Sequence, residues 1–305
     1  MKQYNSELIL DSIINGERIT CFRVTYPRIV HSEFMRHRAG SYCSASSRAI
    51  PLDRMMDQYV GYIPDNWRKH QSGMQPIEGD VFSENDIREF EEIYKSIMTV
   101  SKLKATLLHK SGKGVAKEQV NRLIEPYSYI THLVQMSESS FKHFFELRTD
   151  ETAQYEIRVI AKMMKEQYLS SIPVNRDFHL PFFEYEKEID SNNFYDCAMI
   201  SSARCARTSY FNHENKKTLP SEDMELADKL LKSKHLSPFE FPVIDRLTAE
   251  EVFSNIKWFE FIENDRWWKK IELKEGTPLA IRKDMSGNLN NWRVVQFRKV
   301  LEATK

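Results

Sequence analysis

Basic and hydroxyl side chains crowd into one short stretch of the N-terminal part of the chain. Arg36–Arg38 reads Arg-His-Arg, and after seven further residues Ser46–Arg48 reads Ser-Ser-Arg. Cationic side chains make charge-assisted hydrogen bonds to phosphate oxygens, and hydroxyls and backbone N–H groups add further donors. The stretch from 36 to 48 therefore predicts an anion-binding pocket. Read alone, the three basic residues are also typical of a solvated helix end.

A hairpin and a short helix are predicted to position these residues. Asn15-Gly16 is a hairpin turn signal, and the residues from Ile19 to Tyr26 alternate with a period of two, which predicts a strand. Pro27 suits a first helical position, so Arg36–Arg38 is expected near a helix end, where the chain breaks at Gly40.

The composition limits the classes of function. The chain has 305 residues, with 44 Lys and Arg balancing 44 Asp and Glu. It therefore has no global field to attract a nucleic-acid polymer or an acidic membrane, and its cations must act locally on small molecules. The four cysteines have no C-x-x-C spacing, and no signal peptide or membrane span is evident, which favours the cytoplasm of a bacterium or a phage-infected host.

Motifs for common cofactors and metals do not occur in the sequence. No G-x-G-x-x-G or Walker loop is found among the nine glycines, so a dinucleotide would bind without a Rossmann crevice. The histidines form no H-E-x-x-H and no Cys/His quartet, which predicts no metal site. Cys43 has no His or Asp at a spacing that would activate it, so we do not expect a thiolate nucleophile.

The middle of the chain predicts helices. Ser83 with Asp86 resembles a capping box that opens a long amphipathic helix up to Lys110, and a second helix is expected from Val115 to Ile124. A third is predicted over 127–147, and a fourth carries its apolar face at Ala153, Ile157, Ile160, Met164 and Tyr168.

The last part of the chain is predicted less completely. The pattern collapses over 173–193, which indicates a connection, and a helix capped by Ser221 is expected up to Lys234. The stretch 243–279 has no assignable pattern. The aromatic pair Trp267-Trp268 is expected to pack in a core or at a subunit contact. Residues 1–192 and 193–305 are the two parts of the predicted organisation.

Several blocks together resemble one family, the flavin-dependent thymidylate synthases (ThyX). Arg-His-Arg, seven residues, then Ser46 and Arg48 resembles the family signature. Three further blocks carry the same resemblance: Arg122–Pro126, Leu147-Arg148 followed by Ala153–Ile157, and Ala206–Tyr210 together with His235–Glu240.

The order of these blocks differs from the usual family order. The third block normally opens the protein, whereas here it closes it, so the chain resembles a circularly permuted, phage-type member whose tail, 286–299, also resembles such proteins. The resemblance implies an α+β, ThyX-like fold, with a helical bundle packed on a small, mostly antiparallel sheet. It also implies that 193–305 completes one catalytic domain with 1–192, and that the protein is a homotetramer.

The resemblance further implies an activity, the reductive methylation of dUMP to dTMP. FAD is the implied cofactor, with NADPH and methylenetetrahydrofolate as co-substrates. Arg148 matches the catalytic arginine beside the base, and Arg122 matches one that reaches in from another subunit. The substrate-binding residues implied are Glu33, Arg36, Ser44, Ser46, Ser47, Arg48, Arg122 and Arg148. The cofactor-binding residues implied are Arg36, His37, Arg38, Ser44, Ser137, Ser139, His143 and Ser237.

The chain departs from the family pattern at several of these positions. Cys43-Ser44 replaces Asn-Glu, Glu33 replaces Gln, Ser137-Glu138-Ser139 replaces Asn-x-Arg, and His143 replaces Asn. Two alternatives therefore stay open. One is a related C5 modification, such as dCMP methylation or hydroxymethylation of dUMP or dCMP, and the other is a degenerate, flavin-free nucleotide-binding protein. Outside the family context, Arg148 is typical of an interhelical ion pair, His143 of a core histidine and Ser237 of a surface turn.

Overall fold

A computed structural model describes residues 4–44, 46–70, 81–185, 194–208, 216–245, 248–249 and 293–303. The chain opens with the predicted hairpin, β1 (Asn5–Ile14) and β2 (Glu17–Pro27), which pair antiparallel. Asn15 and Gly16 have φ of 47° and 75° at the turn. Both values lie in the left-handed region that a two-residue hairpin turn of this kind requires, so the Asn-Gly signal and the strand are confirmed.

The first sheet has five strands in the order β3-β4-β2-β1-β5. It adds β3 (Ser41–Ser44), β4 (Tyr129–Ser137) and β5 (Val174–Asn175) to the hairpin. All neighbours are antiparallel except β1 and β5. The segment 173–193, expected as a connection, therefore contributes a strand to this sheet.

The prediction of a helix over 127–147 was wrong in its first half. Tyr129–Ser137 is strand β4, and only Glu138–Arg148 is helical (α5). β4 lies between β2 and β3 and is buried over almost its whole length, so its sequence shows no apolar and polar alternation. A continuous apolar run of this kind cannot be told from a buried helix by periodicity.

Short helices follow β2 and β3, and longer ones follow in the middle of the chain. After β2 come a 3-10 turn (Arg28–Val30) and α1 (His31–Phe34), with Arg36–Arg38 in the turn beyond. The later helices are α2 (Leu52–Gln58), α3 (Glu84–His109), α4 (Lys117–Asn121) and α6 (Tyr155–Ser170). A further 3-10 turn (Glu125–Tyr127) leads into β4.

Two of the predicted helices are confirmed in detail. Ser83 and Asp86 form a reciprocal capping box at the start of α3. Ile157, Ile160, Met164 and Tyr168 form the buried face of α6, and they pack with α5 against the sheet residues Phe22, Val24 and Val134. The second predicted helix is shorter than expected, because α4 ends at Asn121.

The C-terminal part forms a second sheet with its own helices. β6 (Phe178–His179), β7 (Val243–Asp245) and β8 (Val294–Gln296) pair antiparallel in that order. The helices are α7 (Phe194–Arg207), α8 (Pro220–Lys232) and α9 (Phe297–Ala303), with a 3-10 turn at Ser237–Glu240. Helix α8 begins after Leu219, so the prediction of Ser221 as its cap was wrong.

The α+β class and the mostly antiparallel sheet with helices packed on it are confirmed. No helix in the described part of the chain is long and apolar enough to cross a membrane. The pair Trp267-Trp268 and most of the unassigned stretch 243–279 lie outside the described residues.

Candidate functional site

Arg148, His37 and Glu33 form the centre of the candidate site. Arg148 is the last residue of α5, and its Nε donates to His37 Nε2 at 2.7 Å. Its Nη1 forms an ion pair with Glu33 Oε2 at 3.1 Å. The fold therefore brings together a predicted catalytic residue, a predicted cofactor-binding residue and a predicted substrate-binding residue from α1, the turn after it and the end of α5.

The contact with Arg148 fixes the protonation state of His37. Because a guanidinium only donates, Nε2 of His37 must carry a lone pair, and the ring proton lies on Nδ1. Burial lowers the pKa of His37 to about 4, and interactions with the nearby side chains of Arg148, His143 and Arg36 lower it in the same direction. His37 is therefore a neutral imidazole near pH 7, with Nδ1–H as its remaining donor. His143 is exposed on α5, which is not the environment of a core histidine.

The turn that carries His37 is held by β3. The His37 carbonyl accepts from Gly40 N at 3.2 Å and from the Tyr42 hydroxyl at 2.5 Å. A Cβ on Gly40 would lie 2.7 Å from Tyr42 Oη and 2.9 Å from Met136 Cε. Only glycine lets Tyr42 approach this closely. The sequence marked Gly40 as a chain break, but it gave no signal for the role of Tyr42.

A buried aromatic cluster lies under the same turn. Tyr26 Oη is 3.0 Å from His31 Nδ1 and 3.0 Å from His132 Nε2. Phe34 stacks on Tyr26, with ring centroids 5.2 Å apart. Burial lowers the pKa of His31 to about 4 and that of His132 well below its usual value, so both rings are neutral. No local pattern predicts this cluster, because Tyr26 and His132 lie on strands that are neighbours in the sheet but distant in the sequence.

The predicted phosphate segment is an exposed loop after β3. Ser44, Ser46 and Arg48 are exposed, and Arg48 N donates to Ser46 Oγ at 3.3 Å. Arg122, at the end of α4, is also exposed. Arg36 and Arg38 are exposed in the turn beside His37. Arg36, Arg38, Arg48 and Arg122, which the sequence predicted to bind substrate or cofactor, therefore all face solvent.

Ser137 and Ser139 lie away from the central cluster. Ser137 is the residue before α5, and its Oγ is 3.1 Å from Ser139 Oγ. Because α5 rises about 1.5 Å per residue, these serines are about 15 Å along the helix from Arg148. Within one chain, the structure does not bring them to His37.

The turn with Ser237 packs beside β3 and β4. Gln296 Nε2 donates to Ser41 Oγ at 2.7 Å and to the carbonyl of Glu240 at 2.9 Å. Gln135 Nε2 donates to the Phe241 carbonyl at 3.0 Å. The 3-10 turn Ser237–Glu240 is therefore held against the strand that begins three residues after Arg38.

Two further questions concern the Cys43 thiol and the possible metal-ligating side chains. Burial, with a contribution from Glu240, raises the pKa of the Cys43 thiol to about 12, which disfavours a thiolate there. Among the described residues, no group of three or more His, Cys, Asp or Glu side chains is placed to hold a metal ion.

Two known proteins similar to this chain are both described as flavin-dependent thymidylate synthases. A flavin-dependent thymidylate synthase of Pyrococcus furiosus is 32% identical over 143 residues, covering 46% of this chain and 50% of that protein. One of Thermosipho melanesiensis is 31% identical over 152 residues, covering 48% and 62%. The chain thus spans between 50% and 62% of the length of these two relatives. Among solved structures, the UMP/dUMP methylase PolB from Streptomyces cacaoi aligns at a TM-score of 0.47 with 18% identity, covering 55% of this chain and 89% of that chain.

A family model described as thymidylate synthase complementing protein, Thy1, matches residues 16–174. The match covers more than half of the 305 residues and contains the Arg-His-Arg turn, Arg122 and Arg148. It confirms the family resemblance, while the permuted order of the blocks stays a prediction. The chain belongs to the Thy1 family, the family of the flavin-dependent thymidylate synthases.

Proposed function

We propose that the protein is a flavin-dependent thymidylate synthase that methylates dUMP to dTMP. Methylenetetrahydrofolate is the proposed one-carbon donor and NADPH the proposed reductant. The proposal rests on one arrangement in a chain of this family. Arg148 is held by Glu33 and by neutral His37, and the exposed Arg36 and Arg38 lie beside His37 in the chain.

Arg148 is the proposed catalytic residue. C5 of a uracil ring becomes nucleophilic only when electron density moves into the ring, and fixed donors beside the base stabilise the enolate-like charge that develops. The contacts from Nε and Nη1 hold the guanidinium plane in place, so its remaining N–H groups have a set direction before substrate binds. Neutral His37 accepts from Arg148 without adding a competing positive charge.

The nucleotide phosphate is assigned to the exposed loop. Ser44, Ser46, Ser47 and Arg48 supply hydroxyl and guanidinium donors within a few residues of one another. Glu33 and Arg36 complete the substrate side in one subunit. Arg122 is proposed to reach the same phosphate from a neighbouring subunit.

FAD is the proposed cofactor, and the donor set fits its diphosphate. Arg36 and Arg38 are exposed cations on either side of His37, whose Nδ1–H is available as a donor. Ser44, Ser137, Ser139, His143 and Ser237 are the further positions proposed to contact the cofactor. When bound, FAD would supply hydride-transfer chemistry, with NADPH as the proposed source of the hydride. Because Ser137 and Ser139 lie at the far end of α5, their role requires a site built across subunits.

Helix α3 supports such an assembly. Ile93, Ile97, Val100, Leu103 and Leu107 recur at spacings of three and four residues, and each is about half exposed. An apolar stripe of this length along one helix is typical of a subunit contact. We propose a homotetramer in the cytoplasm, with no nucleic-acid or membrane partner. Sedimentation should give an oligomer at micromolar concentration, and an active monomer would contradict this.

We also propose that 193–305 completes the same catalytic domain in permuted order. The hydrogen bonds that Gln296 and Gln135 donate to the Glu240 carbonyl, in the turn Ser237–Glu240, support this. Full-length protein should bind FAD, and protein truncated after Asn193 should not. A folded, truncated protein with undiminished FAD affinity would contradict the permuted arrangement.

A second candidate is favoured by one observation, the carboxylate of Glu33 at Arg148. A carboxylate at the base can accept a hydrogen bond from an exocyclic amino group, which cytosine has and uracil lacks. Methylation or hydroxymethylation of dCMP is therefore the alternative activity.

One experiment separates these functions. The purified protein is incubated with methylenetetrahydrofolate and NADPH, with dUMP in one reaction and dCMP in another, and the products are identified by mass. A methyl group added to dUMP supports the thymidylate synthase, and a product only from dCMP supports the alternative. A colourless protein without flavin absorption and without product from either nucleotide would support a degenerate binding protein and contradict both.

A further inference from the structure

Asn121 is a buried polar residue to which the proposed function assigns no role. It is the last residue of α4 and fully buried, and its Nδ2 donates to the carbonyl of Ser47 at 2.8 Å and to that of Ile50 at 3.0 Å. Both acceptors belong to the exposed loop that carries Ser46 and Arg48. One buried amide group therefore binds two backbone carbonyls of this loop.

The orientation of the amide is determined by its neighbours. Its Oδ1 is buried and has no hydrogen-bond partner within the described residues. The reverse orientation would place that oxygen against two carbonyl oxygens, so the orientation with both N–H groups donating is the favourable one. A buried acceptor without a partner costs stability, and this cost is tolerated where both donors of Asn121 hold the loop.

Asn121 also joins the two segments that carry predicted phosphate-binding arginines. Arg48 lies between the two carbonyls that Asn121 holds, and Arg122 is the next residue after Asn121. The apolar neighbours on both sides, Ile50, Val120 and Ile124, pack in one buried cluster. The amide of Asn121 therefore sets the distance between the loop and the end of α4, in a contact that is otherwise apolar.

We propose that Asn121 is a positioning residue for the phosphate of the nucleotide. It acts through the loop 46–50, whose shape it holds before the ligand binds, and it does not touch the ligand. This inference rests on the proposed function, because it requires that a pyrimidine nucleoside monophosphate is the substrate. Preorganisation of this kind raises affinity by removing the cost of ordering the loop on binding.

The test replaces the amide by its isosteric acid. Asn121→Asp places carboxylate oxygen against two carbonyls, and Asn121→Ala removes the side chain without adding charge. We expect both variants to weaken dUMP binding about tenfold or more, since two hydrogen bonds to the loop are lost. Amide hydrogen exchange of residues 46–50 should accelerate in the free protein. The kcat at saturating dUMP should change less than about twofold, which is close to the error of such measurements. The flavin absorption spectrum should stay the same.

Gln167→Glu is the matched control. Gln167 Nε2 donates to a backbone carbonyl, that of Ser6, at 2.8 Å, on the sheet side of α6. This variant also loses an amide donor to a carbonyl, but it should leave dUMP affinity and exchange in 46–50 unchanged. A loss of kcat and of flavin in step with dUMP affinity in both Asn121 variants would show a general structural role and overturn the inference.

The failure of this inference differs from the failure of the proposed function. Wild-type protein that binds neither dUMP nor dCMP would overturn the proposed function and this inference with it. Wild-type protein that binds dUMP, with unchanged affinity in Asn121→Ala and Asn121→Asp, would overturn only the role of Asn121.

Discussion

The two ends of the candidate site are built differently. Around Arg148 the functional side chains contact one another, with His37 buried and Glu33 paired to the guanidinium. Around Arg48 the side chains of Ser46 and Arg48 are exposed, and the loop is held by the buried Asn121 and by a hydrogen bond from Arg48 N to Ser46 Oγ. The proposed base end is thus fixed by contacts among its own side chains, whereas the proposed phosphate end is a loop held mainly through its backbone.

This difference supports the proposed division between catalysis at Arg148 and phosphate binding at Arg48. Donors that act on a transition state must be fixed in advance, because ordering them during the reaction would add to the barrier. Donors that bind a phosphate can gain their order on binding, at a cost in affinity. We therefore expect changes at the base end to lower kcat and changes at the phosphate end to raise KM.

The largest effect is expected for Arg148→Lys. Lysine keeps the charge but cannot reach His37 and Glu33 together in a planar fork. Loss of such a fixed donor costs about 100-fold or more in kcat, while dUMP affinity should change little. Steady-state kinetics check this, with Arg158→Lys on α6 as a control that keeps full turnover. A loss entirely in KM with unchanged kcat would mean that Arg148 is only a binding residue.

At the phosphate end, Arg48→Ala and Arg122→Ala should each raise the KM for dUMP about 10- to 100-fold, because hydrogen bonds to charged groups are worth about 1.5–3 kcal/mol. If Arg122 comes from a neighbouring subunit, co-assembling the two variants creates some sites with both arginines intact. Mixed oligomers should then regain a fraction of wild-type affinity. No recovery in verified hybrids would mean that both arginines serve the site of their own chain.

The regions of the molecule also differ in how much of their structure could be predicted from the sequence. The Arg-His-Arg turn, Arg148 and the capping box of α3 were predictable, because each depends on a local pattern or a family motif. Strand β4 was missed because a strand buried on both faces has no alternation, and its apolar run continued into α5. Asn121 and His132 could not be assigned, because their roles depend on contacts between segments that are distant in sequence. Tyr42 was missed because its contact with the His37 carbonyl depends on how the chain turns between them.

A smaller effect is expected for Gly40→Ala, which tests how tightly the turn at His37 is held. The new Cβ would lie 2.7 Å from Tyr42 Oη, so Tyr42 or the turn must move. Overpacking of this kind costs about 1–3 kcal/mol of unfolding free energy, measurable in urea. In the background of Tyr42→Leu the same change should cost less, since the crowded ring is gone. Additive effects of the two changes would contradict the contact.

A further effect of similar size is expected from pH, and it isolates His37. Its pKa is lowered to about 4 in the folded protein from an ordinary value of 6.5, because of burial and of interactions with the nearby side chains of Arg148, His143 and Arg36. As the pH falls through 6.5, the unfolded chain takes up a proton that folded His37 does not, so stability declines until the folded pKa is reached. Between pH 7 and pH 5 this amounts to about 2 kcal/mol, at 1.36 kcal/mol per pKa unit.

His37→Gln removes the titrating group and keeps an oxygen that can accept from Arg148. His31 and His132 are present in both proteins, so their own lowered pKa values contribute equally to both pH profiles. The free energy of unfolding, measured in urea at several pH values, should therefore fall less steeply in His37→Gln than in the wild type below pH 6.5. Parallel profiles would mean that His37 is protonated normally in the folded protein. In that case the hydrogen bond from Arg148 Nε to the ring would be lost as the pH falls through 6.5, and only the ion pair with Glu33 would then fix the guanidinium.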